Sequence, residues 1–251
     1  MRNLLAYGRF SFLCGRETMK KTIASIQSSY IPWKGYFDII NRVDEFILYD
    51  DVQFTKGDWR NRNFIKTAQG LQWLTIPVLS KGRISSALKI QEVRVKDSFW
   101  ALRHWKTICQ NYAAAPFFEM YKTLFETYYL HHSDVFLSDI NSSLIKIICG
   151  ILEIKTPIRW SRDYVLSDDR NIRLVELCRQ MGATHYLSGP TAKSYLDVDL
   201  LQKYGVEVMW MDYTGYPEYT QVHSPFEHGV SIIDLIFNQG PRAKQYMKGA
   251  R

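Results

Sequence analysis

The sequence predicts an α/β protein: a mostly parallel sheet with βαβ units, Rossmann-like or nucleotidyltransferase-like, plus a helical block. Three observations predict it. A strand, a helix and a second strand follow one another within about 30 residues at the start of the chain. The interval 98–152 is helical in its periodicity throughout. Strand-like runs then alternate with a helix up to the C-terminal region, and polar loops stand where those runs end.

Taken in order, Thr22–Gln27 reads as the first strand from its β-branched and small apolar residues before a Ser-Ser-Tyr turn. Pro32 leads into a helix from near Lys34–Gly35 to Arg42, and Glu45–Tyr49 is a second buried strand. This βαβ unit favours a parallel pair with a right-handed crossover. Gln72–Val78 and Leu88–Val95 read as strands bracketing the Ser80-Lys81-Gly82-Arg83 loop. Three helices follow, through His104–Tyr112, Phe117–His131 and Asp134–Leu152, with Pro116 in the first turn of the second. Tyr164–Val165 is a short strand, and Asn171–Met181 is a helix ended by Gly182. Thr184–Ser188 and Val206–Asp212 are the last strands, and Ser231–Asn238 is the final helix. There is no fixed-period repeat and no low-complexity linker, so residues 19–251 read as one α/β domain with its helical block at about 98–152. Residues 1–18 read as a disordered extension or a start placed upstream of Met19.

Composition bounds the function. With 46% hydrophobic and 23% charged residues among 251, the chain is of globular type. No apolar run reaches the roughly 18 residues of a spanning helix, so membrane insertion is not expected. Cys14, Cys109, Cys149 and Cys178 are scattered without a C-x-x-C pair, which speaks against a disulfide framework or a cysteine zinc site and fits a reducing cytoplasm. The net charge of +7 suggests anionic partners. Residues 1–18 contribute two of those charges, leaving enough to attract a pyrophosphate but little argument for a polynucleotide.

The candidate chemistry lies in a few segments. Gln27-Ser28-Ser29-Tyr30-Ile31-Pro32-Trp33-Lys34-Gly35 joins a strand end to a helix N-terminus, where free N–H groups meet anions. Gln27, Tyr30, Trp33 and Lys34 are its candidate substrate contacts. The next segment opens with Asp50-Asp51 and Gln53, then interleaves Lys56, Arg60, Arg62 and Lys66 with Trp59, Asn61, Asn63 and Phe64. Guanidinium groups there suit phosphate or carboxylate, and Trp59 suits a base or sugar ring. Asp50 and Asp51 are candidate catalytic carboxylates, with a magnesium ion as their alternative use. Ser188 before Gly189-Pro190, and Asp212-Tyr213, lie at later strand ends. His223, Glu227 and His228 precede the last helix as a candidate acid–base set, and their spacing matches no zinc pattern. His104 and the His131-His132 pair suit structural roles better.

Four of these stretches also carry a resemblance: Ile26 to Asp38, Asp50 to Phe54, Asp58 to Asn63, and Pro225-Phe226-Glu227-His228-Gly229. Together they resemble the signature of the WbqC-like family of bacterial surface-polysaccharide (O-antigen, lipopolysaccharide) cluster proteins, over Met19 to Gly240. That resemblance implies glycine or another aminoacyl transfer to the amine of a nucleotide-linked amino sugar. His228 or His223 would then be the base, Arg60 and Arg62 would hold the pyrophosphate, and Asn61 or Asn63 would steady the oxyanion. Nothing resembles a Ser or Cys nucleophile motif, which favours direct transfer. The first loop also resembles the β1 loop of nucleotidyltransferases, with Tyr36 where their histidine stands, so ATP could activate the amino acid. The cofactor is otherwise open. The partners expected are a nucleotide-sugar and an amino acid; the competing classes are an RNA-binding module and a non-catalytic sugar-binding protein.

Overall fold

The computed structural model describes residues 20–79 and 88–249. Along the chain run β1 (Thr22–Ile26), α1 (Lys34–Arg42), β2 (Glu45–Leu48), β3 (Arg62–Thr67) and β4 (Gly70–Thr75). Then come α2 (Phe99–Tyr112), α3 (Phe118–His131), α4 (Leu137–Ile151), β5 (Ile158–Trp160) and α5 (Arg170–Gln180). The last elements are β6 (His185–Ser188), α6 (Val198–Lys203), β7 (Glu207–Trp210) and α7 (Ile232–Gln239).

Five strands pair in parallel in the order β5-β2-β1-β6-β7, and β3-β4 form a separate antiparallel hairpin. Alternation along the strands supplies a core to each face of the sheet. Ala24, Phe46, Leu48 and Leu187 pack with α1, α4 and α7, while Ile23, Ile47 and Tyr186 pack with Leu174, Leu177 and Cys178 of α5 and Leu201 of α6. The chain winds outward from β1 through β2 to β5, then returns to β6 on the other side of β1. The winding direction therefore reverses between β1 and β6, which makes that gap the switch point where doubly wound sheets receive ligands. All of the hairpin and α2–α4 lie within the single connection from β2 to β5.

Several expectations need correction. Arg62–Thr67, which the sequence reading assigns to no strand, is one, and its odd and even residues separate at first: Asn63 and Ile65 face inward, Arg62 and Phe64 outward. Leu88–Val95 is not a strand, because its backbone is spent on isolated partners, Phe54, Val52, Asp50 and Leu137, around a 3-10 turn at Ile90–Glu92. The short strand is β5, not Tyr164–Val165, since Val165 is exposed and the ladder to β2 already runs through Ile158–Trp160. Pro116 lies outside α3, one residue before its N-cap Phe117. Helix α6, capped by Asp197, was not anticipated. The expectations for residues 1–18 and for the Ser80–Arg83 loop fall outside the described residues. Among the described residues no helix is long and apolar enough to cross a membrane.

Candidate functional site

The loop from β1 to α1 is fastened on every side. Asp50, at the end of β2, accepts the Ser28 backbone N–H at 2.7 Å and the Ser138 hydroxyl at 2.5 Å. Burial raises its pKa, opposed by these donors. Asn141 of α4 donates to Ser28 Oγ and to the Arg60 carbonyl. Asn63 donates to the carbonyls of Tyr30 and Ile31, and Ser231 donates to the latter at 2.7 Å. Those bonds hold Ile31 at φ 35°, a left-handed conformation costly for a β-branched residue. Beneath it, the Tyr30 hydroxyl meets His104 Nδ1 at 2.9 Å and Tyr129 at 2.7 Å. His104 Nε2 faces the Thr75 carbonyl at 3.2 Å, so Nε2 carries the proton and Nδ1 accepts from Tyr30. Burial lowers the His104 pKa to about 4.

This scaffold presents the N-terminus of α1 beside the switch point. The helix has neither a side-chain cap nor an acidic residue in its first turn, so its positive end is uncompensated. Trp33 lies flat over Gly35, where any Cβ would be driven into its ring, and packs edge-on against Tyr213 and Tyr216. Tyr213 in turn reaches the backbone of Gly189, just past Ser188 at the end of β6. Lys34 is the first residue of α1 and only 3% exposed. Its amine donates to the Pro217 carbonyl at 3.1 Å and sits over the rings of Tyr216 and Tyr219 at 5.1 and 5.2 Å, with Phe226 at 5.8 Å. Burial lowers its pKa to about 8, against the pull of Asp234 and Glu218. His228 stands perpendicular to the same Phe226 ring at 4.6 Å. Desolvation and the Lys34 charge lower its pKa, opposed by Glu218 and Glu227. The arrangement thus pairs a neutral imidazole with a caged ammonium at the positive end of a helix.

Of the residues singled out by sequence, Gln27, Trp33, Lys34, Ser188, Asp212, Tyr213, Glu227 and His228 lie along the β1, β6 and β7 ends and the loop covering α1. Asp212 is exposed, and Thr214 and Lys248 hold its carboxyl below the usual range. The other candidates lie elsewhere, several of them bonded within the fold. Asp50 and Asp51 diverge: the first binds the β1–α1 loop, the second Ser161 and Arg173. Both carboxylates thus have partners within the fold, and among the described residues no group of three or more His, Cys, Asp or Glu is gathered for a metal. Asn61 donates to the Ile76 carbonyl, and Asn63 and Tyr30 are buried and bonded within the scaffold. His223 Nε2 donates to the Asn111 carbonyl of α2 at 3.1 Å. Tyr36, which stands where a nucleotidyltransferase has its histidine, is a buried strut donating to the Gln27 carbonyl. Gln53 and Lys56 are exposed beyond β2, Arg60 pairs with Asp58 at 2.7 Å, and Trp59 and Arg62 belong to the hairpin surface. Missed altogether was Asp234 of α7, buried and bonded by Tyr112, Tyr219, Gln221 and Asn238. Its signal was a lone carboxylate inside Ile232-Ile233-Asp234-Leu235-Ile236-Phe237.

Fold and site together define a doubly wound α/β protein with polar and cationic residues gathered at the carboxyl edge of its sheet. The chain belongs to the WbqC-like protein family, whose model matches residues 27–246. It is similar to the uncharacterized protein Rv1507c of Mycobacterium tuberculosis (strain ATCC 25618 / H37Rv), 47% identical over 231 residues, 92% of this chain and 99% of that one. No solved structure matches the chain.

Proposed function

We propose that the protein is a transferase of surface-polysaccharide biosynthesis that adds glycine, or a similar aminoacyl group, to the amine of a nucleotide-linked amino sugar. The observation that carries this reading is the Lys34–His228 pair at the uncapped start of α1. Acyl transfer to an amine needs a base for the amine proton and a fixed positive charge for the tetrahedral oxyanion. His228, its pKa lowered, is the neutral base at pH 7. Lys34, with a pKa of about 8, is mostly ammonium at that pH and stabilises the oxyanion together with the helix end.

The donor is an activated glycyl group, its carboxyl joined to a leaving group. The sugar amine attacks the acyl carbon, a C–N bond forms, and the bond from the acyl carbon to the leaving group breaks with its electron pair departing on that group. The amine proton passes to His228. Incubating the protein with dTDP- or UDP-linked amino sugars, glycine and ATP should yield a sugar heavier by one glycyl residue, read by mass spectrometry. No product, alongside tight and salt-sensitive RNA binding, would replace this reading with a nucleic-acid-binding one.

A further inference from the structure

The outer face of the β3–β4 hairpin takes no part in that proton transfer, yet it is built with care for its ring faces. Register places Phe64 opposite Trp73 and Arg62 opposite Thr75. Phe64 stacks on Trp73 with centroids 3.5 Å apart at 28°, and Trp59 leans on both at 6.2 and 5.5 Å. The Arg62 guanidinium lies over Trp73 at 4.1 Å. Trp59 nevertheless stays 47% exposed and Trp73 36% exposed. Single exposed apolar residues need no explanation, but a braced set of three rings beside a stacked guanidinium does.

The charges on this face are uneven. Asp58 neutralises Arg60. Arg62 has no carboxylate partner among the described residues, and its Nε is buried without a hydrogen-bond partner. Lys56 is exposed and likewise without an ion pair among the described residues. The hairpin is also tied to that site. The Trp59 carbonyl accepts from Tyr30 N–H at 3.0 Å, and the Phe64 carbonyl accepts from Ser231 N–H at 2.8 Å. These are the two segments that run into Lys34 and out of His228.

We propose that this face seats the nucleotide half of the activated sugar, with the base on the exposed ring of Trp59 and the diphosphate on Arg62 and Lys56. The assignment rests on the reading above and adds where its substrate is held. A neutral sugar would leave two cations uncompensated, and a bare phosphate has no use for the rings. A second copy docked by two-fold symmetry would set the same cations against each other.

The test is calorimetry with UDP, dTDP, GDP and ADP, and with inorganic pyrophosphate. At least one nucleoside diphosphate should bind. Trp59→Ala should weaken it roughly 5- to 100-fold while sparing pyrophosphate, and Trp59→Phe should restore most of the loss. Arg62→Gln should weaken nucleotide and pyrophosphate alike, whereas Lys203→Gln on α6 should change neither. If Trp59→Ala and Arg62→Gln keep the melting temperature and the wild-type nucleotide affinity, the seat is overturned and the chemistry of the Lys34–His228 pair stands. If no nucleoside diphosphate binds the wild-type protein, the seat and the nucleotide-linked substrate fall together. Trp59-dependent dimerisation with unchanged nucleotide affinity would also overturn the seat.

Discussion

Replacing His104 by Phe should remove a pH-dependent part of the protein's stability. His104 is 7% exposed and lies between Tyr30 and the Thr75 carbonyl, an environment that accepts a neutral imidazole but not an imidazolium. Its pKa is about 4 in the fold against 6.5 in the unfolded chain. Between those values the unfolded state binds more protons, so stability is complete above pH 6.5 and is lost as pH falls towards 4. The full difference is worth about 3 kcal/mol, of which about 2 kcal/mol is already gone at pH 5. The Phe variant leaves the Tyr30 hydroxyl without its acceptor and should start about 2 kcal/mol less stable at pH 8. It does not titrate, however, so its deficit should nearly vanish at pH 5. Urea unfolding of both proteins at pH 8 and pH 5 measures the two gaps. Equal gaps at the two pH values would refute the assignment of His104 as a buried neutral strut under the β1–α1 loop.

Turnover should rise with pH through the lowered pKa of His228 and fall above about pH 8 as Lys34 loses its proton; Lys34→Arg should abolish the alkaline fall, because a guanidinium stays charged there. A kcat profile of both proteins checks this, and an alkaline limb that persists in the Arg variant assigns the limb to another group. Gly35→Ala should drive Trp33 off its seat, costing about 1–3 kcal/mol in thermal unfolding and most of the turnover. Asp51→Ala strands the buried Arg173 guanidinium and should cost about 3 kcal/mol, while millimolar magnesium should leave the wild-type melting temperature unchanged. A clear magnesium-dependent rise would return the Asp50-Asp51 pair to the list of ligands.

The central βαβ unit was readable because Thr22–Ile26 and Glu45–Leu48 are mostly buried strands dominated by Ile, Phe, Ala and Leu, and α1 shows a helical period between them. The three long helices and α7 were readable for the same reason. Strand β3 was not, because Arg62, Asn63 and Lys66 advertise charge and polarity while the alternation beneath them is what the hairpin uses. Strand β5 has three residues and α6 six, too short for periodicity to accumulate. For the site, sequence located the strand ends and the Lys34 and His228 segments but not who bonds to whom. A carboxylate reads alike whether it holds a loop, as Asp50 does, or pairs with a distant arginine, as Asp51 does. Asp234 was passed over because the apolar residues around it dominate the pattern.

The position of β1 has a consequence for how the protein comes into being. This strand is made early but becomes the middle of the sheet, and its second neighbour, β6, pairs Tyr186 with Ile23. At ribosomal speeds the intervening chain takes roughly 10–30 s to appear. During that time one edge of β1 has no partner in the sheet, and the site lacks the wall that Ser188 and Tyr213 later supply. A nascent chain halted between the hairpin and β6 therefore carries Lys34 and the hairpin but no site, and offers an open strand edge to whatever chaperone or neighbouring chain reaches it first.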